Sequence, residues 1–466
     1  MSQFLLQGFL AGYLSLGLMA GDRPNFIIIF NDDQGYQDLG CYGAPEIKTP
    51  RIDEMASEGM RFTDFYVPSP VCSSSRAALL TGKYPGRVGI KGVFFPNRGK
   101  GGLAPEHVTL AEALQSVGYE TAAIGKWHLG HHPEFLPTNQ GFGSYFGIPY
   151  SNDMHPAVDM AYAENCFFRE GQSLATLAEA FAGPLTKGSP PSLKNMVPLM
   201  RNLECVEFPA DQRTLTERFV DEGIDFISQS VAAERPFFLY LANSMPHTPL
   251  FVSKPFQGVS ERGLYGDVIE EIDFHTGRLL DHLTKVGAEE NTLVVFSSDN
   301  GPWLVQKKNG GSALPLFEGK HTSFEGGVRV PAIFRWPGVI PPGAVETEMA
   351  STIDLLPTFA RLAGAPLPEG GVDGKDIAPL LRGEPGAVTP HDYLFFLQRG
   401  QAVRSGPWKY HAVRFYSPLH KNRPTGPALY HLERDLGETT NVLEEHPEVA
   451  ERLAKALAEH LESLKR

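Results

Sequence analysis

Polar oxygen ligands follow two short apolar runs that are typical of buried strands. Asp32 and Asp33 follow the run Asn-Phe-Ile-Ile-Ile-Phe-Asn. Asp299 and Asn300 follow the run Thr-Leu-Val-Val-Phe-Ser-Ser. Ligands collect at the carboxyl ends of parallel strands, and adjacent carboxylates repel each other unless a cation lies between them. The Asp-Asp pair alone is more typical of a solvated acidic turn, and Asn300-Gly301 alone is typical of a turn, but the combined all-oxygen set favours a hard divalent cation, Ca²⁺ or alternatively Mg²⁺.

A cysteine stands at the predicted start of a helix, one turn before an arginine. Residues 72–82 read Cys-Ser-Ser-Ser-Arg-Ala-Ala-Leu-Leu-Thr-Gly, so polar residues precede an apolar run and a glycine stop. The helix dipole and the free N–H groups at Cys72 favour an anion there, and Arg76 adds positive charge. A lone cysteine is more often a small buried hydrophobic residue, so this segment needs support from the rest of the chain.

The elements that must position these residues alternate between short apolar runs and amphipathic stretches. Runs of four to seven apolar residues bounded by Gly, Pro or Asp suit strands buried on both faces of a parallel sheet. The pattern predicts an α/β fold with a large, mostly parallel central sheet flanked by helices. Predicted strands span residues 25–30, 120–124, 236–242 and 292–297, and predicted helices span 50–59, 109–117, 211–228 and 266–286.

The composition changes after about residue 364. Short strand-like pieces at 393–398 and 406–412 precede a terminal helix with an apolar stripe, which predicts a smaller C-terminal α+β subdomain with a short antiparallel sheet, residues 365–466. Residues 22–364 form the predicted catalytic domain. Within it, residues 156–209 break the alternation and predict an irregular insertion near a binding site.

Charge and cysteine content exclude several classes. The 466 residues carry a net charge of −13, which opposes general binding to nucleic acid or to anionic membranes. Four cysteines show no zinc-ligand spacing, and the sequence leaves open whether Cys166 and Cys205 pair or stay free. Residues 1–21 include an uncharged apolar run that indicates a signal peptide and export to a periplasmic, extracellular or lysosome-like compartment. No later window predicts a membrane span, and the oligomeric state stays undetermined.

Residues 72–82 resemble the signature of the sulfatase family, within the alkaline-phosphatase-like superfamily. The family pattern is Cys-x-Pro/Ala-Ser-Arg followed by x-x-Leu-Leu-Thr-Gly, and Ser74 replaces the usual Pro or Ala. The resemblance implies that a formylglycine-generating enzyme converts Cys72 to Cα-formylglycine, an aldehyde whose hydrate is the nucleophile. It also implies that modified Cys72 joins the metal ligands, which would be Asp32, Asp33, Asp299 and Asn300.

Other segments are similar to further family motifs. Gly-Lys-Trp-His-Leu-Gly at 125–130 implies that Lys126 and His128 lie in the active site. Pro-His-Thr-Pro at 246–249 contributes His247, and the segment 319–331 contributes Lys320. Ile-Pro-Tyr-Ser at 148–151 resembles the arylsulfatase A branch, in which the serine at the position of Ser151 faces the sulfate.

The resemblance implies hydrolysis of a sulfate monoester, an aryl sulfate or preferably a sulfated carbohydrate. Lys126 and Lys320 would hold the sulfuryl oxygens, and Arg76 would stabilise the ionised hydroxyl. His247, with Lys320, would be the acid for the leaving alcohol, and His128 would be the base that releases sulfate. Two alternatives stay open: a phosphatase or phosphonate monoester hydrolase of the same superfamily, and a catalytically silent binder of sulfated glycans.

Overall fold

The computed structural model describes residues 23–186, 188–398, 400–420 and 426–465. The predicted signal peptide lies outside the described residues. The strands are β1 (Asn25–Asn31), β2 (Met60–Phe62), β3 (Phe65–Tyr66), β4 (Glu120–Lys126), β5 (Ser144–Ile148), β6 (Tyr162–Phe168), β7 (Leu199–Arg201), β8 (Glu204–Phe208), β9 (Phe237–Ala242), β10 (Thr292–Ser298), β11 (Ala332–Arg335), β12 (Ala344–Glu346), β13 (Ala350–Ser351), β14 (Leu394–Leu397), β15 (Gln401–Ser405), β16 (Trp408–Val413) and β17 (Ala428–His431). The helices are α1 (Pro50–Glu58), α2 (Cys72–Thr81), α3 (Leu110–Gln115), α4 (Leu174–Ala182), α5 (Leu215–Ala232), α6 (Leu264–Lys285), α7 (Glu325–Val328), α8 (Leu355–Ala363), α9 (Ala378–Leu381) and α10 (Pro447–Ser463).

A large sheet runs through the molecule in the order β12-β2-β11-β10-β1-β9-β4-β5-β7-β8-β6. The five central strands, from β10 to β5, are mutually parallel. Antiparallel pairs, such as β10 with β11 and β5 with β7, lie outside this centre. The predicted α/β architecture with a mostly parallel sheet is therefore confirmed.

Strand β1 shows why the middle of each central strand is largely apolar. Its side chains alternate between the two faces of the sheet, as in any strand. Phe26, Ile28 and Phe30 belong to the core that includes side chains of α2, α3 and α8. Ile27 and Ile29 belong to the core that includes side chains of α1, α5 and α6. Because helices cover both faces, the polar residues of β1 stand only at its two ends, Asn25 and Asn31.

Residues 156–209 are more regular than the sequence predicts. Strands β6, β7 and β8 lengthen the sheet beyond β5, and α4 lies between them in the chain. These strands lack the continuous apolar runs of the central strands because they lie at the sheet's edge, and β6 is half-buried to exposed along its length. Helix α5 begins at Leu215 rather than at the predicted Asp211, since residues 212–214 first form a single 3₁₀ turn.

The C-terminal part carries a second sheet in the order β14-β15-β16-β17, antiparallel throughout. Leu453 and Leu457 of α10 are buried against this sheet, in one core with Val403 and Leu429. The predicted small antiparallel sheet and terminal helix are confirmed, while the boundary at residues 364 and 365 stays a prediction. None of the helices in the described part of the chain combines the length and hydropathy needed to cross a membrane.

Candidate active site

The ends of β1 and β10 bring the predicted oxygen ligands together. The two strands are parallel neighbours, with Asn31 beside Ser298, so the residues that follow them share one edge of the sheet. Asp32, Asp33 and Asp299 are all buried, as is Asn300. The backbone N–H of Asp33 donates to Asp299 Oδ1 at 3.2 Å. Asp33 adopts a positive φ of 64°, which is uncommon for a residue other than glycine and is typical of functional turns.

Helix α2 begins at Cys72 and points this end toward the carboxylates. Val71, the residue before the helix, provides no side-chain cap, so the first N–H groups face the site without one. Cys72 Sγ lies 3.4 Å from Asp32 Oδ1 and 3.3 Å from Lys320 Nζ. The predicted cysteine is therefore placed between a carboxylate and an ammonium group, at a helix N-terminus.

Three cationic side chains pair with the three carboxylates. Lys126, at the end of β4, forms an ion pair with Asp32. Arg76 donates to Asp299 Oδ2 from Nε at 3.0 Å and from Nη2 at 2.7 Å. Lys320 Nζ lies 2.5 Å from Asp33 Oδ1. All six side chains are buried, so their charges interact with little screening by water.

The turn after β10 packs tightly on the segment that carries Lys320. A Cβ atom on Gly301 would lie 1.8 Å from the carbonyl oxygen of Gly326, so only glycine fits at position 301. The backbone N–H of Gly301 donates to the carbonyl of Gly327, and that of Lys320 donates to the carbonyl of Pro302. These contacts hold Lys320 next to Asp33.

Ser151 and His247 complete the side of the site next to Lys126. Lys126 Nζ donates to Ser151 Oγ at 3.3 Å, and Ser151 Oγ lies 3.4 Å from His247 Nδ1. His247 Nδ1 also lies 2.7 Å from the carbonyl oxygen of Thr248, an acceptor that requires this nitrogen to carry the proton. The other ring nitrogen, Nε2, is then an acceptor, and it lies 3.5 Å from Ser151 Oγ and 3.7 Å from Asp33 Oδ2.

His128 lies beside this group but makes its hydrogen bond elsewhere. Its Nε2 is 3.0 Å from the carbonyl oxygen of Phe94, and its buried Nδ1 has no hydrogen-bond partner among the described residues. Its backbone has a positive φ of 61°. The structure thus brings ten of the eleven predicted residues into one bonded group and leaves His128 adjacent to it, with one unpartnered nitrogen.

The carboxylates differ in protonation. Burial alone would raise the pKa of Asp32, but Lys126, His247 and Arg76 hold that pKa well below its usual range. Burial raises the pKa of Asp33 to about 7 even though Lys320 opposes the shift. Burial and the charge of Asp32 raise the pKa of Asp299. The cations of the site therefore stabilise the ionised form of Asp32, whereas the pKa values of Asp33 and Asp299 stay raised despite the cations beside them.

The thiol and the histidines are held neutral. Burial and the charges of Asp299 and Asp32 raise the pKa of the Cys72 thiol, so unmodified Cys72 is a thiol at neutral pH and a weak nucleophile. Burial and Lys320 hold the pKa of His247 well below its usual range, and burial and Lys126 do the same for His128. Burial alone would lower the pKa of Lys320, but Asp33 and Cys72 raise it well above its usual value, so Lys320 keeps its proton.

The donor set fits a metal ion. Asp33 Oδ2 and Asn300 Oδ1 are buried oxygens with no hydrogen-bond partner among the described residues. Ligand atoms of Asp32, Asp33, Cys72 and His247 all lie within 4.8 Å of one another. A buried polar atom without a partner is costly, and a cation at this position would satisfy both oxygens. Asn300 already orients its amide, because its Nδ2 donates to Asp33 Oδ1 at 2.7 Å.

Two residues of this region were not among those predicted. Asn152 Oδ1 lies 2.9 Å from His247 Nδ1, and Asn152 Nδ2 donates to the carbonyl of His247 at 3.1 Å, so Asn152 holds that histidine. The Trp303 ring lies 5.4 Å from the His247 ring and 5.0 Å from Lys320 Nζ. Both follow a predicted site residue closely in the chain, but nothing in their type distinguishes them from ordinary loop residues.

The fold and this site together define a class of enzymes. A family model described as Sulfatase matches residues 24–365, and one described as N-sulphoglucosamine sulphohydrolase, C-terminal, matches residues 316–466. The chain belongs to the sulfatase family. It is a sulfuric ester hydrolase, as the resemblance of residues 72–82 predicts.

Particular relatives are similar over most of the chain. Human (Homo sapiens) arylsulfatase A is 42% identical over 455 residues, which cover 92% of this chain and 85% of that protein. N-acetylgalactosamine-6-sulfatase of the dog, Canis lupus familiaris, is 40% identical, covering 84% of this chain and 72% of that protein. The crystal structure of Ps i-CgsB in complex with k-i-k-neocarrahexaose has a TM-score of 0.77 and 30% identity, covering 94% of this chain and 92% of that one.

Proposed function

We propose that this sulfatase uses a formylglycine formed from Cys72 and acts on a sulfated carbohydrate. The observation that carries the proposal is the position of Cys72: it is buried at the N-terminus of α2, between Asp32 and Lys320, and its thiol stays protonated. A protonated buried thiol is a poor nucleophile. The hydrate of an aldehyde at this position would supply one hydroxyl to attack sulfur and a second one whose deprotonation releases sulfate.

The proposed metal ligands are Asp32, Asp33, Asp299, Asn300 and the modified Cys72. Bound there, Ca²⁺ would polarise the sulfuryl oxygens and offset the charge of the nucleophile. The unpartnered oxygens of Asp33 and Asn300 support this assignment. All-oxygen donors favour Ca²⁺ or Mg²⁺ over transition metals.

The cations of the site bind the sulfuryl group and orient it. Lys126 pairs with Asp32, Lys320 pairs with Asp33, and Lys320 also contacts Cys72. Both ammonium groups can therefore donate to the sulfuryl oxygens of a substrate bound at the N-terminus of α2. Ser151 Oγ, held by Lys126, offers a further donor to the same group. Arg76 is anchored on Asp299, and its fixed charge one turn after Cys72 stabilises the ionised nucleophile.

Proton transfer follows from the protonation states of the site. Lys320 keeps its proton, so we assign to it the donation from Nζ to the leaving oxygen, which leaves as the alcohol, and neutral His247 is its proposed partner in this step. His128 is neutral and has an unpartnered Nδ1, which is the form required of a general base. We assign the deprotonation that releases sulfate to His128.

The substrate proposal rests on chemistry and on the relatives. The site is buried and cationic, which suits an anionic ester, and one relative is named for an amino-sugar sulfate while another was crystallised with a carbohydrate. Release of sulfate from a panel of sulfated mono- and oligosaccharides, compared with aryl sulfates, tests this proposal. A preference for aryl esters across the panel would overturn it.

Modification of Cys72 is tested on protein made with and without a formylglycine-generating enzyme. Peptide mass spectrometry across residues 72–82 measures the aldehyde, and turnover of an aryl sulfate measures activity. Activity should rise in proportion to the aldehyde and vanish in Cys72→Ala, while Cys166→Ala, a change at a half-buried free thiol outside the site, should keep it. Substantial activity in a preparation free of aldehyde would refute the proposal.

A further inference from the structure

A cavity of about 230 Å³ opens beside Lys320. Three segments line it: the turn after β10, the segment that carries Lys320, and the loop after β16 in the C-terminal part. The side chains that matter here are Trp303, Lys320, His321, Phe415 and Ser417. The cavity therefore joins the predicted reaction centre to a part of the chain that contributes no predicted catalytic residue.

Lys320 links the cavity to the proposed nucleophile, because it lines the cavity and also contacts Cys72. Lys320 Nζ is 3.3 Å from Cys72 Sγ on one side and 5.0 Å from the centre of the Trp303 ring on the other. The Trp303 ring also lies 5.4 Å from the ring of His247, the proposed partner of Lys320 in proton transfer. Trp303 is therefore close enough to Lys320 to contact the group that carries a sulfuryl group bound there.

The lining combines aromatic faces with polar groups. Phe415 is 45% exposed, although a phenylalanine gains by burial, and it borders the same cavity as Trp303. Exposed aromatic side chains around a concave site are typical of ligand binding. The hydroxyl of Ser417 and the ring of His321 add polar groups to the lining.

This combination matches a sugar ring better than a flat aryl group. A pyranose presents C–H bonds on one face and hydroxyl groups around its rim. The C–H groups are attracted to the negative face of an aromatic ring, and the hydroxyl groups can pair with Ser417 and His321. An aryl group can contact the aromatic side chains, but it leaves the polar lining without partners.

We infer that Trp303 and Phe415 form the specificity-determining walls of the subsite for the sugar that carries the scissile sulfate. The inference rests on the proposed function and names the residues that select its substrate. Stacking on these walls is the same before and during reaction, so its loss should raise KM and leave kcat nearly unchanged. Trp303 also contacts Lys320 and His247, so its loss should affect kcat as well.

The decisive variant is Phe415→Ala, because Phe415 is a proposed wall residue outside the proposed catalytic set, whereas Trp303 contacts Lys320 and His247. Its matched control is Phe274→Ala, at a 49% exposed phenylalanine on α6. Steady-state kinetics use the best sulfated monosaccharide of the panel and 4-nitrophenyl sulfate. For the sugar, Phe415→Ala should raise KM about tenfold and change kcat by less than about twofold. The KM for the aryl ester should rise by a smaller factor, because an aryl group can contact Phe415 but has no hydroxyl groups to pair with Ser417 and His321. The inhibition constant of inorganic sulfate should stay within about twofold.

The conservative variants Phe415→Tyr and Trp303→Phe keep an aromatic face, so the KM of each for the sugar should lie between those of wild type and the corresponding alanine variant. An unchanged KM for the sugar in Phe415→Ala, or an equal rise for the sugar and the aryl ester, would overturn the inference. A wild-type enzyme that cleaves aryl sulfates and no sulfated sugar would instead refute the proposed function. The two failures are distinguishable, because the inference alone fails when the wild type cleaves a sulfated sugar and the Phe415→Ala variant keeps the same KM for it.

Discussion

Two buried clusters in the described part of this chain each contain three carboxylates and three cationic side chains. The active-site cluster comprises Asp32, Asp33, Asp299, Arg76, Lys126 and Lys320. The second cluster, here the interface network, lies between the main sheet and the C-terminal sheet and comprises Asp64, Glu325, Glu438, Arg329, Arg404 and Lys409. Their formal charges are equal, so any difference between them comes from geometry.

The interface network is complete as it stands. Glu325 accepts from Lys409 at 2.7 Å, from Tyr66 at 2.6 Å and from Arg329 at 3.2 Å. Among the described residues, none of its six charged side chains has a buried polar atom without a partner. Burial alone would raise the pKa of Glu325, but Lys409 and Arg329 lower it far more. This network stabilises the packing of the two sheets and needs nothing further.

The active-site cluster has the same charges but is incomplete. Burial raises the pKa of Asp33 to about 7, and Asp33 Oδ2 and Asn300 Oδ1 lack partners. Lys320 contacts Cys72 as well as Asp33, and Lys126 contacts Ser151 as well as Asp32, so these cations do not serve their carboxylates alone. The comparison teaches that a buried cluster with unsatisfied oxygens is arranged for a ligand, whereas a fully paired one is arranged for the fold.

The largest effect is expected from Asp33→Asn. It removes the unpartnered carboxylate oxygen, so kcat/KM for a sulfate ester should fall at least about a thousandfold. The measurement uses protein whose aldehyde content at Cys72 is known, so that incomplete modification is not mistaken for the effect. A kcat/KM above about a tenth of the wild-type value would contradict the conclusion that the active-site cluster, unlike the interface network, is arranged for a ligand.

Lys409→Met breaks the interface network instead. It leaves Glu325 and Glu438 buried with one cation fewer, so the free energy of unfolding should fall by about 3–5 kcal/mol. The matched control, Lys455→Met, removes an exposed lysine that pairs with Glu459 and should cost less than about 1 kcal/mol. Urea unfolding measures both variants, and equal losses would contradict the role of the network.

Calcium should stabilise only one of the clusters. At a free Ca²⁺ concentration about a hundredfold above Kd, the free energy of unfolding should rise by about 2.7 kcal/mol relative to protein in EDTA. The increment should disappear in Asp33→Asn and persist in Lys409→Met. A larger increment with Mg²⁺ would reassign the metal, and an increment that persists in Asp33→Asn would place the ion elsewhere.

The smallest effect concerns pH, for which the two clusters should show opposite signs. The pKa of Glu325 is lowered, so its contribution to stability is present above its ordinary value of 4.5 and is lost as the pH falls below it. The pKa of Asp33 is raised to about 7, so metal-free protein gains stability at this carboxyl as the pH falls from 7 toward 3.8. Between pH 7 and 3.5, the free energy of unfolding should therefore decline less steeply on the acid side in Lys409→Met, in which Arg329 and Arg404 still lower the pKa of Glu325. In Asp33→Asn, the gain in stability as the pH falls below 7 should be smaller than in wild type. Variants with the same pH profile as wild type would contradict these assignments.

Local patterns in the sequence predict much of the framework. The central strands β1, β9 and β10 are largely apolar because helices cover both faces of the sheet, so the sequence predicts their limits to within one residue at each end. The edge strands β6 and β8 are half-exposed and irregular in register, so their sequence carries no comparable signal. Helix α10 is predictable because its apolar stripe has helical spacing.

The sequence alone determined which residue types stand at the strand ends and at the start of α2, because these positions are defined by short-range chain geometry. Only the tertiary structure decided which cation pairs with which carboxylate, that Asp33 and Asn300 keep unpartnered oxygens, and that Trp303 lies against Lys320. These contacts join segments far apart in the chain, and Coulomb energy and burial depend on distances in space rather than on sequence separation.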